Sequence, residues 1–157
     1  GESIEDPDGV EDGGSVFGLS LLPVKTRLCK EKTTCRCDMQ GAGCFNDVHI
    51  RGYQIHNGVT EVFGGGTFGQ INSDGNHDTP DGCVTDNVAG TYMHGLFDTG
   101  ELTSALADML LKKRGEAPLK YIPRDYSLHR DNQLDILAAT VRVSLDITTI
   151  YDILRQV

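Results

Sequence analysis

His94 is the residue of this chain best placed for chemistry. It follows a β-like run, Val88 to Tyr92, and precedes Gly95. A histidine just past a strand end, beside a residue that lets the chain turn away, projects into whatever cleft forms there. Imidazole is the usual general base near neutral pH, because its ordinary pKa is about 6.5. His94 is therefore the candidate catalytic residue. The other four histidines offer less. His56 ends a strand-like segment ahead of Asn57-Gly58, a strong hairpin-turn signal. His49 faces the strand side opposite Val48 and Ile50, His77 lies in a polar loop, and His129 lies in a tail ahead of a helix. Those four are expected to be solvated or hydrogen-bonded.

Sulfur is the second chemistry to weigh. The five cysteines are Cys29, Cys35, Cys37, Cys44 and Cys83. Four of them follow the spacing C-x5-C-x-C-x6-C. Zinc sites use paired hooks with two to four residues between ligands, so this pattern does not match. No metal ligand is expected. Cys35 and Cys37 should share one face of a strand, since side chains alternate with period two. Reduced thiols on a β-rich segment are the expectation. A cysteine nucleophile needs a sharp strand-to-helix turn between small residues. Gly43-Cys44-Phe45 has glycine on one side only, and Val84 after Cys83 begins a strand. Neither reads as an activated thiolate. Gly64-Gly65-Gly66 lacks the lysine and the following helix of a phosphate-binding loop, and no H-E-x-x-H motif occurs.

Composition narrows the classes further. Charged residues make up 24% and hydrophobic residues 38%, an ordinary globular balance that argues against disorder. The 157 residues fit one domain. Net charge is −9, from 14 basic and 23 acidic residues, which disfavours nucleic acid as a partner. The basic cluster Lys112-Lys113-Arg114 sits at a helix end, where it offsets the negative end of the helix dipole. No apolar run reaches the roughly 20 residues of a membrane span, so no membrane partner is expected. The start, Gly1-Glu2-Ser3-Ile4-Glu5-Asp6, lacks both a signal-peptide layout and an initiator Met. That is what a cut from a longer cytoplasmic chain would show.

The elements that must position His94 read as strands first and helices after. Residues 1 to 15 are polar and turn-rich and predict a surface segment. Phe17 to Pro23 predicts a buried loop or strand. Thr33 to Cys37 predicts a strand. So do Val48 to Arg51 and Tyr53 to His56, with a phase change at Gly52 that implies a bulge or a close backbone approach. Residues 72 to 82 predict a long exposed loop. Cys83 to Tyr92 reads as a turn and a strand. Leu102, Leu106, Met109 and Leu110 keep helical spacing up to a stop at Gly115. Ala117 to Leu128, with Pro118 and Pro123, should be extended. Asp131 and Asp146 are the expected caps of two closing helices, the first presenting Leu134, Leu137, Val141 and Leu145.

Several phrases together resemble the cobyric acid synthase family. These are Gly18-Leu-Ser-Leu-Leu-Pro-Val-Lys-Thr26, Lys32-Thr33-Thr34, Gly52-Tyr-Gln-Ile-His-Asn-Gly58 and Gly90-Thr-Tyr-Met-His-Gly-Leu-Phe-Asp98. Leu134-Asp-Ile-Leu-Ala and Leu145-Asp-Ile-Thr-Thr-Ile-Tyr151 resemble that family's C-terminal helices. The resemblance implies an α/β fold, a three-layer, class I glutamine amidotransferase-like mixed sheet of which residues 1–157 are the C-terminal portion. It implies glutamine as ammonia donor and ATP-dependent amidation of adenosylcobyrinic acid a,c-diamide carboxylates. A cysteine attacks the glutamine carboxamide and a histidine, here His94, manages the protons. ATP and magnesium belong to a separate synthase domain, which also takes the corrin substrate. No cofactor is implied for the residues present here.

The chain departs from the family pattern in four places. The nucleophile elbow, a Cys-Gly-Gly motif, is expected ahead of Gly1 and is absent, so this chain alone should be inactive. Gln54 stands where the family has Glu, and Asn57 where it has Met. Leu96 occupies the place where many class I amidotransferases carry the Glu that orients the histidine. The sister family, cobyrinic acid a,c-diamide synthase, is the alternative resemblance, and a non-catalytic partner module is the alternative of a different class.

Overall fold

Alternation of side chains along two long strands sets the architecture. A computed structural model describes residues 1–72, 78–118 and 125–155. The chain divides into two units, Gly1–Pro123 and Arg124–Val157. In the first unit, β3 (Val24–Gly41) and β4 (His49–Val62) pair antiparallel along most of their length. Val24, Cys37 and Met39 of β3 and Ile50 and Gln54 of β4 point to one face, here called inner, and are buried. Met39 and Ile50 are cross-strand partners and both are fully buried. Each contributes roughly 1.5–3 kcal/mol from burial.

Shorter strands extend this pair. β1 (Ser3–Asp6) runs parallel to β3, and β2 (Gly14–Phe17) runs antiparallel to β1. β5 (Gly69–Asn72) lies along β3 and carries β6 (Thr79–Asp81). β7 (Cys83–Thr85) and β8 (Val88–Gly90) form a separate hairpin, turned at Asp86 with φ 53°. β9 (Met93–His94) pairs antiparallel with β4. The sheet is therefore mixed, and with its helices the architecture is α/β, as expected.

The helix α1 (Glu101–Lys113) seats Leu102 on the core formed by Met39, Phe45, Ile50, Phe68 and Met93. Its end follows the sequence reading closely. Lys112 and Lys113 occupy the last turn, and Gly115 follows in the left-handed region with φ 73°. Glu116 N donates to Leu111 O (2.9 Å) and Gly115 N to Lys112 O (3.1 Å), the paired bonds of a Schellman stop.

The second unit holds α2 (Tyr126–Ser144) and α3 (Ile147–Leu154). Asp146 caps α3 by accepting from Thr149 N, as expected. The cap of α2 is Asp125, not Asp131: its carboxylate accepts from Ser127 N and Leu128 N. Tyr126, Ser127, Leu128 and His129 are consequently helical, where the sequence predicts an extended tail up to Leu128; residues 119–124 of that tail lie outside the described residues. Asp125 satisfies orphan amides at the first turn, whereas Asp131 lies inside a helix already begun.

Other expectations change for similar reasons of context. Residues 1 to 15 are not a mere surface segment, because Ser3–Asp6 joins the sheet. The Asp6 carboxylate then gathers the loop by accepting from Val10 N, Glu11 N and Gly13 N. Phe17, Leu19 and Leu21 are exposed, not buried, because the segment lies over the β1 edge through its backbone: Gly18 N donates to Glu2 O and Ser20 N to Gly1 O. Asn57-Gly58 is not a turn but the interior of β4, held opposite a bulge in β3 between Leu28 and Thr33. Thr79–Asp81 of the expected loop is a strand, while residues 73–77, including His77, lie outside the described residues.

Candidate active site

The sequence predicts His94 just past a strand running from Val88 to Tyr92; instead that strand, β8, ends at Gly90 in its hairpin with β7, and His94 is the last residue of a separate strand, β9. His94 is directly opposite Tyr53 in the antiparallel pairing of β4 and β9. Strand alternation sends Met93 and Gln54 to the inner face and His94 and Tyr53 to the outer face. His94 is exposed. Its ring stacks on that of Tyr53, with centroids 5.0 Å apart and planes inclined by 5°. Among the described residues no hydrogen bond reaches either of its ring nitrogens.

Two glycines create this position. Gly52 precedes Tyr53 on β4, and a Cβ there would collide with the carbonyl oxygen of His94. The sequence allowed a bulge or a close approach at Gly52, and the close approach is what occurs. The alternation of β4 runs through Gly52 without a shift, which leaves Tyr53 and Ile55 exposed on the outer face. Gly95 adopts φ 79° and turns the chain out of β9 toward α1. Asp98 N donates to Gly95 O (3.0 Å), closing that turn.

A carboxylate clamp fixes the approach to β9. Asp81 Oδ1 accepts from Gln54 Nε2 (3.1 Å), and Asp81 Oδ2 accepts from the Thr91 hydroxyl. Thr91 Oγ1 in turn accepts from Met93 N (2.9 Å). One aspartate thus ties the residue after Tyr53 to the residue before His94. Sequence reasoning missed Asp81, since it lay in a stretch read as loop. It also missed Tyr53, although Tyr53 and Thr91 both sit inside the two most distinctive phrases.

The inner face holds a different arrangement. A cavity of about 650 Å³ is lined there by Val24, Thr26, Gln54, His56, Thr60 and Tyr92, among others. The His56 ring stacks on Tyr92 with centroids 3.8 Å apart. Its Nδ1 lies 2.8 Å from Gly58 O, so this histidine is hydrogen-bonded as expected. Tyr92 OH lies 2.6 Å from Thr60 Oγ1, which lies 2.7 Å from Thr26 Oγ1. The cavity and the imidazole of His94 are thus on opposite faces of the sheet.

The cysteines do not converge on His94. Cys35 and Cys37 share the inner face, and Cys37 Sγ lies 3.4 Å from Met93 Sδ. Burial, together with the neighbouring Cys35, pushes the Cys37 thiol up to about 11. Such a thiol stays protonated and is a poor nucleophile. Cys44 is exposed on a short helical turn, and Cys29 lies at the β3 bulge. Among the described residues no group of three His, Cys, Asp or Glu is arranged for a metal. The run Gly64-Gly65-Gly66 leads into β5 with no helix, so it forms no phosphate cradle. No described helix is long and apolar enough to cross a membrane.

Comparison with known proteins identifies the family. The family model for the CobB/CobQ-like glutamine amidotransferase domain matches residues 1–102, from β1 through β9 to the start of α1. A cobyric acid synthase of Ruminiclostridium cellulolyticum is 33% identical over 165 residues, covering 99% of this chain and 32% of the relative. One from Citrobacter koseri is 35% identical over 159 residues, covering 95% and 31%. One from Clostridium novyi is 30% identical over 162 residues, covering 99% and 32%. The chain therefore spans about a third of the length of the curated relatives it matches. On the match of residues 1–102, about two thirds of its length, the chain belongs to the CobB/CobQ-like glutamine amidotransferase family.

Proposed function

We propose that this chain supplies the proton-handling histidine of a glutaminase site in a cobyric acid synthase. The complete enzyme would transfer ammonia from glutamine to activated carboxylates of adenosylcobyrinic acid a,c-diamide, giving cobyric acid, within the cytoplasm. In this reading His94 takes the proton from a cysteine thiol. The thiolate attacks the glutamine carboxamide carbon and forms a tetrahedral intermediate. His94 then returns the proton to the departing nitrogen, so that ammonia leaves and a glutamyl thioester remains. Water hydrolyses the thioester to glutamate.

The attacking sulfur belongs, in this proposal, to polypeptide outside residues 1–157. Cys37 is buried on the face away from His94 and keeps its proton. ATP, magnesium and the corrin are assigned to a separate synthase domain, and no step by the residues present here involves them.

The observation that carries the reading is the place of His94. It is exposed at the end of β9, released by Gly95, in a chain whose relatives bear the name cobyric acid synthase. The test is His94→Asn in the enzyme that contains this domain. Glutamine-dependent amidation should fall by at least about a hundredfold, the lower range for loss of a general acid–base group. Amidation driven by added ammonia should persist. Near-normal use of glutamine by the variant would overturn the assignment.

A further inference from the structure

We infer that Tyr53 is the positioning residue for His94, holding the imidazole by its face so that both ring nitrogens stay available. This rests on the reading of His94 as the proton carrier. A histidine that moves protons needs a fixed ring plane. A carboxylate partner commonly provides this by engaging one nitrogen. Here Leu96 stands two residues after the histidine and offers no carboxylate. The contact that defines the ring is instead the stack on Tyr53, with centroids 5.0 Å apart and planes inclined by 5°. At that separation nearly parallel rings are laterally offset, the arrangement their quadrupoles favour.

The stack differs in kind from the other histidine–tyrosine pair. His56 also lies on a tyrosine, but its Nδ1 is held by the Gly58 carbonyl. His94 is restrained through its π face alone among the described residues, so neither nitrogen edge is used up. A ring held this way can accept a proton from a thiol and pass it to a leaving amine without first breaking a hydrogen bond.

Tyr53 is itself well anchored. On its N-terminal side Gly52 admits the His94 carbonyl against the backbone. On its C-terminal side Gln54 is buried and tied to Asp81. Tyr53 and His94 are also directly paired across the strands, so both side chains leave the sheet at the same level.

Two measurements test the inference. In this chain, the His94 ring protons should show an upfield ring-current shift by NMR. Tyr53→Phe should keep the shift, and Tyr53→Leu should lose it while amide dispersion stays native. In the enzyme containing this domain, Tyr53→Leu should lower kcat for glutamine-dependent amidation about tenfold to a hundredfold, the scale of a small misplacement of a catalytic group. KM for glutamine and ammonia-driven amidation should change little, and Tyr53→Phe should restore kcat. Equal kcat for the Leu variant and the parent, or an unshifted His94 ring in the parent, would overturn the role of Tyr53. A Leu variant that loses glutamine-driven and ammonia-driven activity together would do so as well, since that marks general disruption. If His94→Asn leaves glutamine use intact while the ring shift behaves as expected, the amidotransferase reading of His94 fails and the stack stands.

Discussion

Gly52 lies so close beneath His94 that a methyl group at its α-carbon would meet the His94 carbonyl oxygen. β9 is only two residues long, and this close pairing with β4 is what holds it to the sheet. The same approach puts Tyr53 and His94 at one level. A residue that carries no side chain thus decides where the candidate catalytic side chain stands.

Gly52→Ala is therefore expected to destabilise the first unit by about 1–3 kcal/mol, the usual range for overpacking. Gly66→Ala serves as the control, since a Cβ there meets nothing within 4 Å. Urea unfolding of both variants checks this. Equal midpoints would show that β9 relaxes away from β4 at no cost.

Cys37 should resist thiol reagents at neutral pH while Cys44 reacts, because one is buried and the other exposed. The sign of the linked pH effect follows from the raised thiol. From the ordinary value of 9.0 up to about 11, the unfolded chain loses this proton while the folded chain keeps it. Folding stability should therefore fall as pH rises through that interval. Cys37→Ala should flatten that part of the profile. Mass-resolved alkylation and alkaline unfolding curves are the measurements.

Asp6 should make the N-terminal loop acid-sensitive. Amides of Val10 and Glu11, then Gly13 and Gly9, hold its carboxyl below the ordinary value of 3.8. A depressed carboxyl stabilises the fold above the unfolded value, and that contribution disappears as pH falls through the folded value. The stability gap between the parent chain and Asp6→Asn should be full near neutrality and should close at acid pH. A gap independent of pH would exclude the charge as its source.

In the second unit, Asp125→Ala should cost the α2 start about 1 kcal/mol, a typical loss for an N-cap. Asp131→Ala should cost much less, since residue 131 lies within the helix and caps nothing. Helical content by circular dichroism, read during thermal unfolding of the two variants, separates them. A larger loss for Asp131→Ala would restore the later helix start.

Local chemistry made several features legible. The period of Leu102, Leu106, Met109 and Leu110 with Gly115 behind it specified α1, because helix spacing and a left-handed stop are encoded within a few residues. Period two put Cys35 and Cys37 on one face. The phrase Gly90 to Asp98 marked His94 and the family. Local signals misled where distant pairing was stronger. Asn57-Gly58 has the makings of a turn, yet β3 and its bulge carry β4 straight through it. Ser3–Asp6 looked like surface, yet its edge hydrogen bonds to β3 recruit it into the sheet.

The sequence by itself determined which residue is the candidate for acid–base chemistry, where α1 stops and which family the chain resembles, since each depends on residue type and near-neighbour spacing. Tertiary structure decided who stands beside His94. Gly52 and Tyr53 come from a strand far away in the chain, and only the β4–β9 pairing brings them there, while Asp81 reaches the approach to β9 from the opposite face through Gln54 and Thr91. Strand registry is a long-range choice, fixed by which face can be buried, and no local stretch of sequence contains it.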